Sequence, residues 1–355
     1  MKAAVYYGAR DLRVEETAAP GALGSREILI RPLYCGICGS DLHEYTDGPI
    51  IASRTPHPYT GKTLPQILGH EFSAEVIEVG AEVRNARPGD RVSIQPVVVP
   101  PDDFYVQRGQ HALSTVSACV GFQTKWGGMA ELAVVDDYNV FRMPEGFDPR
   151  LGALIEPASI ALSGVEKAGV SGGSSVLITG AGPIGALAAL ACAAFGASSI
   201  FVSEPNPVRR RQIEALGIGA IPIDPRAEDV GQVVRSRTRG GLGADAAIEC
   251  SGVEPGFTAC VDAVRKVGTI AQIALFTRKI SVDPNLWASK GLTLRGVWGP
   301  SSITDWPRLM DMVASGRFPV GKVITSEVDL DDVVKGGFEK LCDPANTEMK
   351  VLVRI

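Results

Sequence analysis

Ser175-Val176-Leu177-Ile178-Thr179-Gly180-Ala181-Gly182-Pro183-Ile184-Gly185 is the stretch that decides the fold of this chain. Its first five residues read as a buried strand, and the apolar run from Ile184 reads as a helix reaching residue 196. Between them lies G-x-G-x-x-G. That pattern alone is weak in a chain with 40 glycines. Directly after a strand and at the opening of a helix it becomes specific for a dinucleotide. Gly180 permits the tight turn, Gly182 lets backbone approach a pyrophosphate, and Gly185 allows close helix–strand packing. Pro183 and Ile184 open a helix whose N–H groups and dipole favour phosphate.

The next strand, Ser199-Ile200-Phe201-Val202-Ser203, ends at Glu204. An acid there accepts hydrogen bonds from the adenosine ribose and repels a 2′-phosphate, so NAD is expected over NADP. Arg209-Arg210-Arg211 is the competing feature. Arg209 counts as a candidate cofactor contact, and the plainer reading is a solvated face of the helix 207–216.

Outward from this core the rhythm continues. Strand-like runs cover Ala244 to Cys250, Gly268 to Ile273 and Leu292 to Val297. Alternating strands and helices imply an α/β fold with a doubly wound parallel sheet. Residues 1 to about 150 read differently, as short strands such as Glu27 to Arg31 and Ala74 to Val79, parted by turns such as Pro88-Gly89-Asp90. Residues 97–125 read as a polar excursion from that sheet. A helix is expected over 305–315, with Asp305 and Pro307 at its start.

The chain has 355 residues, enough for two domains, and 45% hydrophobic residues, enough for real cores. A net charge of −5 argues against nucleic acid or an anionic membrane as a partner. The longest apolar stretch, Ile184 to Ala197, is shorter than the roughly 20 residues a spanning helix needs. The N-terminal residues lack the pattern of a secretory signal. Seven scattered cysteines, an odd number, point to a reducing cytoplasm rather than a disulfide framework.

The second chemical feature is Cys35-Gly36-Ile37-Cys38-Gly39-Ser40-Asp41-Leu42-His43, followed by Gly69-His70-Glu71. A catalytic zinc takes three protein ligands from thiolate, imidazole and carboxylate, and keeps one position open. A zinc ribbon needs a second cysteine pair, and none exists. Two buried thiols are the plainer alternative for Cys35 and Cys38. Histidine is scarce, with four in the chain, and His70 between glycine and glutamate is an odd place for a packing residue.

Gly36-Ile37-Cys38-Gly39-Ser40-Asp41, Gly69-His70-Glu71 and Gly180 to Gly185 resemble the motifs of the zinc-dependent medium-chain dehydrogenase/reductase family. The resemblance spans essentially the whole chain. Ser40 to Tyr45, Asp47-Gly48-Pro49-Ile50 and Leu68 to Phe72 resemble its 2,3-butanediol dehydrogenase branch, close to sorbitol and threonine dehydrogenases. It implies a GroES-like catalytic domain from both chain ends (1–152 and 293–355) around a Rossmann NAD-binding domain (153–292). It also implies zinc bound by Cys38 and His70. Glu156, in Ala153-Leu154-Ile155-Glu156-Pro157, stands where relatives place a third ligand, and Glu71 is the other contender. One thiolate and one carboxylate balance the dication. A second carboxylate makes the site anionic and weakens its acidifying pull, so one glutamate is expected to bind at a time.

By the same resemblance, Ser40 and His43 form a proton relay from the substrate hydroxyl, with Glu71 beside them as a catalytic group, and Asp41 orients His70. His57 and His111 lack metal-like neighbours and read as loop residues. Many relatives bind a structural zinc through four cysteines. Here those positions read Pro100, Asp103, Val106 and Ser114, with only Cys119 nearby. One zinc per chain is therefore expected, with that lobe refolded or packed by Phe104, Tyr105 and Val106.

The expected function is hydride transfer between NAD and a secondary alcohol or its ketone, as a vicinal diol or acyloin such as 2,3-butanediol or acetoin. Alternatives are a sugar-alcohol or biosynthetic dehydrogenase, and a non-catalytic NAD-binding module. The zinc ligands and relay argue against the last. A homo-oligomer, dimer or tetramer, is expected.

Overall fold

The computed structural model describes residues 1–299, 305–343 and 345–355. The chain divides into two compact units: Met1–Glu156 with Ser302–Ser315 and Ile324–Ile355, and Pro157–Ser301 with Gly316–Val323.

The first unit is built on antiparallel strands. Its main sheet runs β10 (Val140–Arg142), β6 (Arg91–Ile94), β5 (Glu71–Val79), β3 (Glu27–Gly36), β18 (Lys350–Arg354) and β17 (Ile324–Asp329), with β9 (Ala133–Asp136) also on β3. A smaller sheet joins β2 (Asp11–Glu16), β1 (Lys2–Gly8) and β4 (Gln66–Ile67). Alternation explains β3: Ile28, Ile30 and Pro32 are buried while Leu29 and Arg31 lie outward. Ile28 and Ile30 join Phe72, Ala74, Val92, Ile94 and Val353 in one core. Two helices close the chain back on this sheet. In α2 (Pro149–Ala153) the Gly152 carbonyl accepts from Ser93 Oγ, and in α9 (Trp306–Ala314) Trp306 Nε1 donates to Ser93 Oγ at 3.2 Å.

The excursion holds a short pairing of β7 (Val97–Val98) with β8 (Ala118–Cys119) and two 3-10 turns, Val106–Arg108 and His111–Leu113. Its packing differs from the expectation. Phe104 is 60% exposed, and neither Tyr105 nor Val106 is buried. Polar bonds hold the lobe instead. Asp103 accepts from the backbone N–H groups of Tyr105 and Val106, and from Ser114 Oγ at 3.0 Å. Asp103 and Ser114, eleven positions apart, thus bond each other directly.

The second unit is an open parallel sheet in the order β13 (Ile221–Ile223), β12 (Ser199–Ser203), β11 (Ser175–Thr179), β14 (Ala244–Glu249), β15 (Val264–Gln272), β16 (Thr293–Gly296). Its helices are α3 (Ile155–Lys167), α4 (Pro183–Ala194), α5 (Pro207–Ala215), α6 (Val230–Ser236), α7 (Glu254–Ala263) and α8 (Pro284–Lys290). Helix α4 is apolar all round and buried from Gly185 to Cys192, as a helix enclosed by packing must be. Strand order reverses between β11 and β14, the point where such sheets bind ligands beyond their carboxyl ends. The boundaries differ from the sequence reading: residues 153–156 belong to the first unit, and Gly316–Val323 returns to the second. Residues 293–296 pair in parallel with β15, Thr269 opposite Thr293, so this stretch completes the parallel sheet rather than the catalytic unit. Among the described residues, no helix is long and apolar enough to cross a membrane.

Candidate functional site

Three adjacent strands create the first site. The register sets Gly36 of β3 opposite Glu71 of β5 and opposite Leu352 of β18. The end of β3, the start of β5 and the start of β18 therefore meet at one edge. Cys38 lies just past β3 as the N-cap of α1 (Gly39–Asp47), which puts its sulfur at the positive end of a helix dipole. His70 lies just before β5, after Gly69 in the left-handed region at φ +100°. A Cβ on Gly69 would stand 2.6 Å from Cys35 Sγ, so only glycine lets the chain deliver His70 here.

One ligand atom each from Cys38, His70 and Glu71 lie within 4.8 Å of one another. His70 is tightly constrained. Its Nδ1 faces Asp41 Oδ1 at 3.6 Å, its Nε2 lies 3.4 Å from Ser40 Oγ, and the Phe122 ring packs on it at 4.8 Å. Asp41 accepts the Cys38 N–H with its other oxygen at 2.9 Å, so one buried carboxylate orders both ligands. Burial works against the imidazolium, but Asp41 and Cys38 outweigh it and raise the His70 pKa well above the usual range. Such a site holds a cation between its anions, and a metal ion meets that demand more strongly than a proton.

Sequence reasoning missed Lys350. Its Nζ lies 2.6 Å from Glu71 Oε2 and 3.1 Å from the Ile37 carbonyl, and both side chains are buried. Burial pulls the ammonium pKa down, and Glu71, with Cys38 and Glu156, more than restores it. A signal existed in Met349-Lys350-Val351-Leu352-Val353: a lysine inside an apolar strand. The other Glu71 oxygen, Oε1, is buried with no hydrogen-bond partner. An orphaned carboxylate oxygen beside a thiol and an imidazole is the donor set zinc takes, and the residues fit the ion.

The remaining expected residues are placed as follows. Glu156 is buried in the first turn of α3 but outside the tight ligand group. Burial lifts its pKa to about 7, with His70, Glu71 and Lys350 acting on it. Ser40 and His43 share α1 three positions apart, Ser40 partly buried and His43 exposed. Cys35 is a fully buried thiol outside the ligand group, its pKa driven up by burial. His57 lies in a loop, its Nδ1 accepting from the N–H groups of Tyr59 and Thr60. His111 opens a single 3-10 turn, His111–Leu113.

The second unit holds the glycine turn. Gly180 has φ +87°, and a Cβ on Gly185 would strike the Gly180 carbonyl. A Cβ on Gly182 would meet nothing within 4 Å, which leaves open space where a phosphate approaches backbone. Glu204 is 4% exposed and ties the turn together. Its oxygens accept from the N–H groups of Ala181 and Asn206, each at 2.8 Å. Arg210 is committed to structure, pairing with Asp224 at 2.8 Å and donating to the Glu204 carbonyl. Arg209 and Arg211 of the same triplet lie on the partly exposed and exposed faces of α5.

Comparison with known proteins identifies the family of the chain. Residues 24–145 match the alcohol dehydrogenase GroES-like domain, and residues 183–315 match the zinc-binding dehydrogenase domain. The chain is 34% identical to (R,R)-butanediol dehydrogenase of Bacillus subtilis, over 100% of this chain and 99% of that one. The crystal structure of 2R,3R-butanediol dehydrogenase from Bacillus subtilis superposes with a TM-score of 0.92, covering 100% and 99% of the two chains at 33% identity. Sorbitol dehydrogenase of Bos taurus is 31% identical over 93% of this chain and 90% of its own. A zinc-binding dehydrogenase from Sinorhizobium meliloti bound to NADP superposes at a TM-score of 0.88 with 28% identity, covering 100% and 99%. The chain belongs to the zinc-dependent medium-chain dehydrogenase/reductase family, as an alcohol or polyol dehydrogenase with a nicotinamide cofactor that resembles the butanediol and sorbitol branch.

Proposed function

We propose that this protein is an NAD-dependent dehydrogenase of a vicinal diol or its acyloin, of the 2,3-butanediol/acetoin type, working with one zinc per chain. The observation that carries the reading is the convergence of Cys38, His70 and Glu71, with Glu71 Oε1 left unpartnered. When bound, zinc supplies Lewis acidity that lowers the pKa of a substrate hydroxyl, and the nicotinamide accepts the hydride. Cys38 and His70 hold the ion, and Glu71 and Glu156 share the third place.

Lys350 alters the charge balance at that place. One thiolate and two carboxylates, offset by the buried ammonium, neutralise a dication. Both glutamates are therefore tolerated near the ion without making the site anionic. Asp41 fixes His70 from behind. Ser40 takes the proton from the substrate hydroxyl and passes it toward His43, whose exposed imidazole releases it to water.

NAD is favoured over NADP because Glu204 stands buried at the end of β12, where a 2′-phosphate would meet its charge, and because Arg210 is occupied by Asp224. The Asp103–Ser114 bond, in place of a thiolate pair, supports a single zinc. A reducing compartment fits the seven free cysteines. A polyol substrate is the second reading, favoured by the likeness to sorbitol dehydrogenase. Turnover of 2,3-butanediol, sorbitol and threonine with NAD and NADP separates them. Faster reduction of NADP on every substrate refutes the cofactor assignment.

A further inference from the structure

We propose that Glu249 is a positioning residue for the dinucleotide, acting through the turn Cys250–Gly252. The inference rests on the reading of the switch-point crevice as the NAD site. Glu249 is the last residue of β14, and its register partner is Thr179, the last residue of β11. These two strand ends border the point where strand order reverses.

The Glu249 side chain is fully buried, and its Oε1 gathers the turn. It accepts from the Ser251 N–H at 2.8 Å, the Gly252 N–H at 3.0 Å, the Thr179 hydroxyl at 3.4 Å and the Ser251 hydroxyl. Cys250 N–H donates to the Thr179 carbonyl at 2.9 Å, which locks the turn to β11 as well.

The held turn packs directly on the dinucleotide motif. A Cβ on Gly180 would lie 2.9 Å from the Cys250 carbonyl oxygen and 3.0 Å from Ser251 Cα. The far side is equally close. A Cβ on Gly256, in the first turn of α7, would strike Ser251 Oγ, and Gly252 at φ +66° passes close to the Leu275 carbonyl. The backbone wall of the phosphate turn is thus set by one carboxylate that touches neither metal nor reacting atoms. The other oxygen, Oε2, is buried with no hydrogen-bond partner, so the donors on Oε1 alone offset the cost of burying the group, and the geometry they impose is narrow.

The test compares Glu249→Ala, Glu249→Gln and Gly252→Ala with the wild-type zinc-loaded protein. NADH binding is read by fluorescence titration, with KM and kcat for NAD and the zinc content. Glu249→Ala is expected to raise the NADH Kd and the KM for NAD about ten-fold. The kcat at saturating NAD should stay within about two-fold and the zinc content unchanged. Glu249→Gln retains one acceptor oxygen and should recover to within about three-fold of wild type. Gly252→Ala pushes the same turn through Leu275, leaves the carboxylate intact, and should show the same KM-against-kcat split; it decides the question if Glu249→Ala does not fold. Unaltered NADH affinity in the folded variants, or a kcat loss as large as the KM effect, overturns the inference. Wild-type protein that binds no NADH would instead refute the cofactor reading beneath it.

Discussion

Lys350 Nζ and Glu71 Oε2 form a buried ion pair 2.6 Å apart at the junction of β5, β3 and β18. Removing the cation leaves a buried carboxylate uncompensated, at a cost of about 3–5 kcal/mol. Lys350→Met is therefore expected to destabilise the metal-free protein by about that amount in urea denaturation. Bound zinc takes over part of the neutralisation, so the loss should be smaller in the zinc-loaded form. Equal losses in both forms would show that Glu71 does not share its charge with the metal.

Gly69→Ala tests the delivery of His70. The new Cβ meets Cys35 Sγ, and the backbone leaves its preferred region. Zinc affinity should fall by an order of magnitude or more while NADH affinity is kept. Competition with a chromogenic chelator measures the first and fluorescence titration the second. Unchanged zinc affinity would argue that His70 is no ligand.

Glu156 gives a pH signature in the metal-free protein. Burial holds its pKa at about 7, above the ordinary carboxyl value of 4.5. Between these values the native state keeps a proton that the unfolded chain has lost, so stability falls as pH rises through that window. The Tm of the chelator-treated wild type should drop by a few degrees from pH 5 to pH 7.5, and Glu156→Gln should flatten that contribution. A Tm profile identical in the two proteins would count against a buried, neutral Glu156.

Asp103 holds the polar lobe through Ser114 and two backbone N–H groups. Asp103→Ala should loosen residues 97–119 locally, with the global Tm and zinc content little changed. Limited proteolysis reads it as faster cleavage within that stretch. Loss of zinc from the variant would point to a metal in the lobe.

The parallel unit was legible in the sequence because its signals are local. A buried strand, a glycine turn and an apolar helix follow one another within residues 175–194, and each limits the next. Cys38 and His70 were legible because each stands in a short motif of chemically apt residues. Lys350 was not, because its partner lies on a distant strand and only the β3–β18 register brings them together. Phe104 failed for a related reason. Aromatic character suggested packing, but the buried apolar side chains of the lobe are Val98, Val99, Ala112 and Ala118, while the Phe104 ring stays outside and meets the Arg108 guanidinium at 3.7 Å from its centroid. Residues 293–296 went to the wrong unit because a four-residue strand carries no mark of which sheet edge it joins.

The central claim is a Cys38–His70–glutamate zinc site driving NAD-dependent diol oxidation. The most direct measurement is zinc content by elemental analysis, paired with initial rates of NAD reduction on 2,3-butanediol stereoisomers, for wild type and Cys38→Ala. The account predicts about one zinc per wild-type chain and NAD reduction on at least one stereoisomer, with both lost in Cys38→Ala. Full zinc and full activity in Cys38→Ala, or a zinc-loaded wild type that oxidises no alcohol, would contradict it.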